Sequence, residues 1–163
     1  PSPLLEELTM IDQLVADFTL PATGDKDLAL SGLRPQKVVL YFYPKDSTPG
    51  CTSEAQQFRD LYPDFLAAGC EVIGVSRDSL RSHENFKTKQ NLPFELVSDA
   101  DEALCSLFSV IKDKKLYGKT VRGIERSTFA VDKSGTILRE WRGVKVPGHA
   151  QEVLDFVRSR TTA

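Results

Sequence analysis

The sequence predicts a mixed α/β fold: a central mixed sheet flanked by helices, with a β extension at the N-terminus. Three observations carry this. Residues Lys37 to Tyr43 and Glu71 to Ser76 are runs of apolar, β-branched and aromatic residues without alternation, as expected of strands buried on both faces of a sheet. Each is followed by a stretch with helical spacing or helical punctuation. Near the C-terminus, Ser127 to Val131 and Thr136 to Trp141 flank Asp132-Lys133-Ser134-Gly135, a β-hairpin signal with glycine at the bulge position, and a helix follows.

Taken in order, Leu14 to Leu20 reads as a short extended piece closed by Pro21, and 22–32 as loop with a weak strand or turn, together a peripheral hairpin. After the first buried strand, Ala55, Phe58, Tyr62, Phe65 and Leu66 recur at spacings of three and four, an amphipathic stripe. Pro63 falls inside it and should kink the helix rather than end it, with Gly69 as the stop. After the second strand, Asp78 or Ser79 caps a helix to about Gln90. Phe94 to Val97 reads as a third strand, Asp99 or Asp101 starts a short helix through Phe108, and Lys112 to Gly123, polar and glycine-containing, reads as a loop. A last helix from Gly148 to about Arg160 has Val153, Leu154, Phe156 and Val157 on one face. Strand–helix units followed by an antiparallel pair and a helix match a thioredoxin-like fold with one inserted strand–helix unit. No repeat, low-complexity tract or linker interrupts residues 1–163, so one domain is expected.

Composition narrows the function. Of 163 residues, 40% are hydrophobic and 27% charged, which argues against disorder, and a net charge of -2 favours neither nucleic acid nor an anionic membrane as partner. No apolar run approaches the ~20 residues that span a bilayer. The opening, Pro1 to Glu7, lacks the basic-then-apolar pattern of a signal peptide. Three cysteines without a C-x-x-C spacing and only two histidines, His83 and His149, argue against a disulfide framework and a zinc site. A reducing, cytoplasmic setting is expected, with no metal and no cofactor.

The chemistry gathers at residues 41–54. Thr48 suits an N-cap and Pro49 the first helical position, which sets Cys51 in the first turn. Unpaired N–H groups and the positive helix end there favour a thiolate and can hold an oxyanion or a peroxide oxygen. Gly50 leaves the approach to the sulfur open. Taken alone, this is either a reactive thiol or a capped helix with an incidental cysteine.

Pro44-x-x-x-Thr48-x-x-Cys51, with Glu54 three residues on, resembles the active-site signature of the peroxiredoxins, and Ser47 to Thr52 is similar to the bacterioferritin comigratory protein/PrxQ form. Gly123 to Phe129 resembles the strand that bears that family's arginine, here Arg126, and the likeness runs from about Phe18 to Phe156. The resemblance implies that Cys51 attacks the peroxide O–O bond and becomes a sulfenic acid. It further implies that Thr48 orients the peroxide, Arg126 stabilises thiolate and transition-state charge, and Pro44 shields the pocket. Glu54 either keeps the arginine's polar surroundings in register or is a plain first-turn acid favoured by the dipole.

Two positions that hold a resolving cysteine in many relatives are different residues here: five after Cys51 stands Gln56, and Ser82 to Lys89 contains no cysteine. Cys70 reads as a small buried hydrophobe and Cys105 as structural, although Cys105 is the remaining candidate resolver. The expectation is a one-cysteine thiol peroxidase, a monomer (with a dimer as runner-up), recycled by thioredoxin or by glutathione with glutaredoxin. A two-cysteine enzyme using Cys105 and a non-enzymatic thioredoxin-fold binding module are the alternatives. A disulfide reductase would need a second cysteine where Glu54 stands, and a cysteine phosphatase an arginine where Gln57 stands. A cysteine hydrolase would need a histidine base, and no motif ties His83 or His149 to Cys51. Gly118-Lys119-Thr120 lacks the earlier glycine of a phosphate loop and reads as a turn.

Overall fold

The two uninterrupted apolar runs lie side by side at the centre of a seven-stranded sheet. The structure is a computed structural model that describes residues 9–33 and 36–160; the opening residues 1–7 read above lie outside it. The strands are β1 (Thr19–Ala22), β2 (Lys26–Ala29), β3 (Lys37–Phe42), β4 (Cys70–Ser76), β5 (Leu96–Ser98), β6 (Ile111–Leu116), β7 (Lys119–Ile124), β8 (Ser127–Val131) and β9 (Ile137–Arg142). The helices are α1 (Pro49–Ala67), α2 (Leu80–Gln90), α3 (Ala103–Leu107) and α4 (His149–Arg158). The sheet order is β2-β1-β5-β4-β3-β8-β9; β3, β4 and β5 are parallel, and the flanking strands antiparallel. This is the mixed, thioredoxin-like sheet that the element order predicts. No helix among the described residues is long and apolar enough to cross a membrane.

Alternation along β3 divides the core. Val39, Tyr41 and Tyr43 pack with α1, α2 and α4 on one face, while Val38, Leu40 and Phe42 pack with α3 and the N-terminal strands on the other. Both faces of β3 are covered, which is why its sequence shows no polar alternation. On α1, Cys51, Glu54, Ala55, Phe58 and Phe65 are buried, Tyr62 is half-buried and Leu66 is exposed, so the apolar stripe is narrower than its spacing suggests. The helix passes through Pro63 and stops at Gly69, whose φ of 73° continues the chain in the left-handed region.

Several expectations need correction. Residues 112–123 are not a loop: they form an antiparallel two-stranded ribbon, β6–β7, in register from Ile111↔Ile124 to Leu116↔Lys119. Its turn places Tyr117 and Gly118 at φ 53° and 76°, the two positive values of the tight hairpin turn. The ribbon's central positions are mostly exposed, so no hydrophobic period announces it. Pro21 lies inside β1 rather than closing it; β5 pairs with that strand only at Ala22, so the missing N–H of Pro21 costs no bond in a central ladder. The third strand begins at Leu96, not Phe94. The short helix begins at Ala103, because the Asp99 carboxylate accepts the N–H groups of Leu104 and Cys105 at 3.1 and 2.7 Å.

Candidate active site

Topology brings the two distant motifs together. In parallel strands the strand-to-helix loops lie at one edge of the sheet, so the loop from β3 into α1 sits beside the loop from β4 into α2. β8 runs antiparallel to β3 and pairs Ser127 with Phe42. Arg126, the residue before β8, therefore arrives where β3 gives way to the loop that leads through Thr48 to Cys51 in the first turn of α1.

Cys51 is buried at the third position of α1. Arg126 donates from Nη2 to its Sγ at 3.4 Å and from Nη1 to Glu54 Oε1 at 2.6 Å. Burial works against the Arg126 charge, but Glu54 and Cys51 outweigh it and hold the guanidinium above its ordinary range. Glu54 is pushed up to about 7 by burial, with Arg126 pulling the other way. Its Oε2 is buried with no hydrogen-bond partner among the described residues. Glu54 is thus no plain surface acid of a first turn; it braces the guanidinium. A Cβ at Gly50 would stand 3.2 Å from Arg126 Nη2, so the glycine makes room for the arginine as well as opening the way to the sulfur.

Thr48 occupies the N-cap position, but its side chain makes no capping bond. Its hydroxyl donates to the Lys45 carbonyl at 2.9 Å, and its own carbonyl accepts the Thr52 N–H at 2.8 Å. Pro44 is exposed, at the bend after β3.

The other cysteines stand elsewhere. Cys70 opens β4 opposite Lys37, five residue steps along β3 from Phe42, or about 17 Å. Burial pushes its thiol up to about 12. Cys105 lies in the core on the opposite face of the sheet from Cys51. Burial, reinforced by Asp99, raises its thiol far above the ordinary range. No disulfide joins either of them to Cys51, and their places in the fold, one at the far end of the β3–β4 pair and the other behind the sheet, set both apart from it. All three are free thiols.

Neither histidine bonds the Cys51 sulfur. His149 is paired with the Thr128 hydroxyl at 2.8 Å and is pushed down to about 4 by burial. His83 belongs to a polar cluster that the sequence did not reveal. Asp46 lies inside the motif stretch and His83 at the start of α2, and only the parallel pairing of β3 with β4 brings them together. Asp46, Asp78 and His83 carry donor atoms within 4.8 Å of one another, a spacing that could hold a cation. Hydrogen bonds already engage each of these groups, Asp46 with His83 and Asp78 with the Asp46 N–H and the Ser76 hydroxyl, and the cluster reads as an anchor.

A buried thiol at a helix start, faced by an arginine braced by a carboxylate, is an arrangement suited to thiol redox chemistry. Residues 11–139 match the AhpC/TSA family, to which this chain belongs. Among its relatives are peroxiredoxin Bcp of Xanthomonas campestris pv. campestris, 55% identical over 143 residues (88% of this chain, 89% of the relative), and peroxiredoxin Bcp of Bacillus subtilis, 46% identical over 148 residues (91% and 94%). A solved Xanthomonas campestris peroxiredoxin Q superposes with TM-score 0.85 at 50% identity, covering 88% of this chain and 91% of that one. A Xylella fastidiosa PrxQ mutant gives 0.88 at 45%, covering 91% and 95%. Within the family the chain sits with the Bcp/PrxQ peroxiredoxins, which are thiol peroxidases, an enzyme class.

Proposed function

We propose that the chain reduces hydroperoxides with Cys51 as the nucleophile, working as a one-cysteine enzyme. The observation that carries this reading is the Arg126 guanidinium held between the Cys51 sulfur and Glu54. A cation at that distance favours thiolate over thiol and stabilises the charge that builds on the peroxide oxygens as the O–O bond breaks. The Thr48 hydroxyl spends its hydrogen on Lys45 O, so its lone pairs remain to accept a bond from the peroxide O–H. The first-turn N–H groups of α1 and Arg126 supply the donors. Pro44, at the rim, limits water at the nascent sulfenic acid.

The thiolate attacks the hydroxyl-bearing oxygen and the O–O bond breaks. The sulfur becomes a sulfenic acid, and the leaving alkoxide or hydroxide takes up a proton to become alcohol or water. An external thiol then forms a mixed disulfide and releases water, and a second thiol restores Cys51. The positions of Cys70 and Cys105 favour this route over an internal disulfide, with thioredoxin or glutathione/glutaredoxin as reductant in a reducing cytoplasm. The Xanthomonas campestris bacterioferritin comigratory protein is described as having alkyl peroxide reduction activity, which favours organic hydroperoxides alongside hydrogen peroxide as substrates here. Turnover of both, with thioredoxin and with glutathione/glutaredoxin, tests the reading. Loss on Cys51→Ser is expected, and retained turnover in that variant would refute it.

A further inference from the structure

Asp46 lies two residues before Thr48 and five before Cys51. It is tied on every side of its carboxylate. Oδ1 accepts the Tyr43 hydroxyl at 2.6 Å; Oδ2 accepts the Ser82 hydroxyl at 2.8 Å and faces His83 Nδ1 at 2.7 Å. Its backbone N–H donates to Asp78 Oδ2 at 2.9 Å, and that oxygen also accepts the Ser76 hydroxyl at 2.5 Å. His83 is fully buried, with Nε2 2.9 Å from the Val97 carbonyl. A carbonyl only accepts, so Nε2 carries a hydrogen, and a second hydrogen must lie between Nδ1 and the Asp46 carboxylate. The contact is a short, directional bond in a dry setting. Through it, residue 46 is fixed to the first turn of α2 and to β5, while the bond to Asp78 ties it to the end of β4. The chain then turns through Ser47, a non-glycine residue at φ 65°, and delivers Thr48 and the start of α1.

We infer that the Asp46–His83 pair is the positioning device of the peroxide site: it fixes the loop that aims the Thr48 hydroxyl and sets where α1, and hence Cys51, begins. Neither residue touches the sulfur, so both are positioning residues. The inference rests on the peroxidase reading above, and it separates two reactions of the same thiol. Alkylation by iodoacetamide needs only an accessible thiolate. Peroxide reduction also needs Thr48 and the α1 start in register.

The test compares wild type with His83→Gln, Asp46→Asn and the double variant. Each is assayed for kcat/KM with peroxide, iodoacetamide rate at Cys51, and backbone hydrogen exchange at residues 45–48. His83→Gln is expected to lose about 10²-fold in peroxide kcat/KM, the scale of a small misplacement of reacting groups. Its alkylation should stay within a few-fold of wild type, and the double variant should be no worse than Asp46→Asn alone. Wild-type peroxide kinetics in His83→Gln, or equal losses in both reactions, would overturn the inference. Should His83→Gln not fold, Ser82→Ala removes one bond to the same carboxylate and should show a smaller, still peroxide-specific loss; an unchanged ratio of the two rates would overturn the inference. If the wild type reduces no peroxide, the functional reading fails, and hydrogen exchange decides this one. Faster exchange at Asp46 to Thr48 in the variant supports the anchor; unchanged exchange refutes it.

Discussion

Cys51 and Cys105 occupy the same local position, the third residue of a helix, and their surroundings are opposite. At Cys51 the helix is long, the first turn opens toward Arg126, and the sulfur accepts from a guanidinium. At Cys105 the helix has five residues and its first N–H groups are taken by the Asp99 carboxylate, an anion beside a buried thiol. A helix start alone therefore does not define a cysteine's setting: tertiary structure brings a cation to one of these helix starts and a carboxylate to the other.

The largest expected effect breaks that contrast at its centre. Cys51→Ser should leave no measurable peroxide turnover, whereas Cys105→Ser and Cys70→Ser should keep most of it, read from peroxide consumption with a protein reductant. Removing the cation comes next. Arg126→Ala should lower kcat/KM by about 10²–10³-fold, the scale of losing one preorganised donor to developing charge, and should slow alkylation of Cys51 at neutral pH. An unchanged alkylation rate would contradict the role given to Arg126.

The Glu54 brace gives a prediction in pH. Its folded value, about 7, lies above its ordinary 4.5, so its contribution to stability is fully present below about 4.5 and is lost as pH rises toward 7. Glu54→Gln removes that titration. The stability difference, variant minus wild type, should therefore grow in the variant's favour between pH 4.5 and 7, by up to about 3 kcal/mol. Urea unfolding at the two pH values checks the sign. Smallest of all, Gly50→Ala should cost only a few-fold in activity, because its Cβ would press on the movable end of the Arg126 side chain at 3.2 Å. A loss as large as that of Arg126→Ala would mean that the glycine does more than make room.

The parts of the fold legible in the sequence are those where burial and local signals agree. β3 and β4 announce themselves because both of their faces are covered. α1 and α2 announce themselves through Pro49 and Ser79, and the Ser79 side chain does accept the Ser82 N–H. The β6–β7 ribbon stayed hidden because cross-strand bonds hold it without a buried face, and Tyr117, 97% exposed at its tip, carries no turn signal of its own. Within the site, motif spacing singled out Cys51, Thr48 and Arg126, and the fold sets the Arg126 guanidinium beside both the Cys51 sulfur and Glu54, a pairing that favours the bracing reading of that carboxylate. Asp46 and His83 were not legible: 37 residues separate them, and no motif links a loop aspartate to a histidine on the next helix. The placement of Cys105 behind the sheet was equally invisible, since which face a five-residue helix covers is a property of the whole core.

The one-cysteine route requires that Cys51 form a sulfenic acid that no other cysteine of the chain resolves. Intact mass after one equivalent of peroxide, with and without dimedone, tests it directly. The expected result is a protein that gains one oxygen and yields a dimedone adduct mapped to Cys51. A protein that instead loses two hydrogens and takes up no dimedone would carry an internal disulfide, and the one-cysteine account would be wrong.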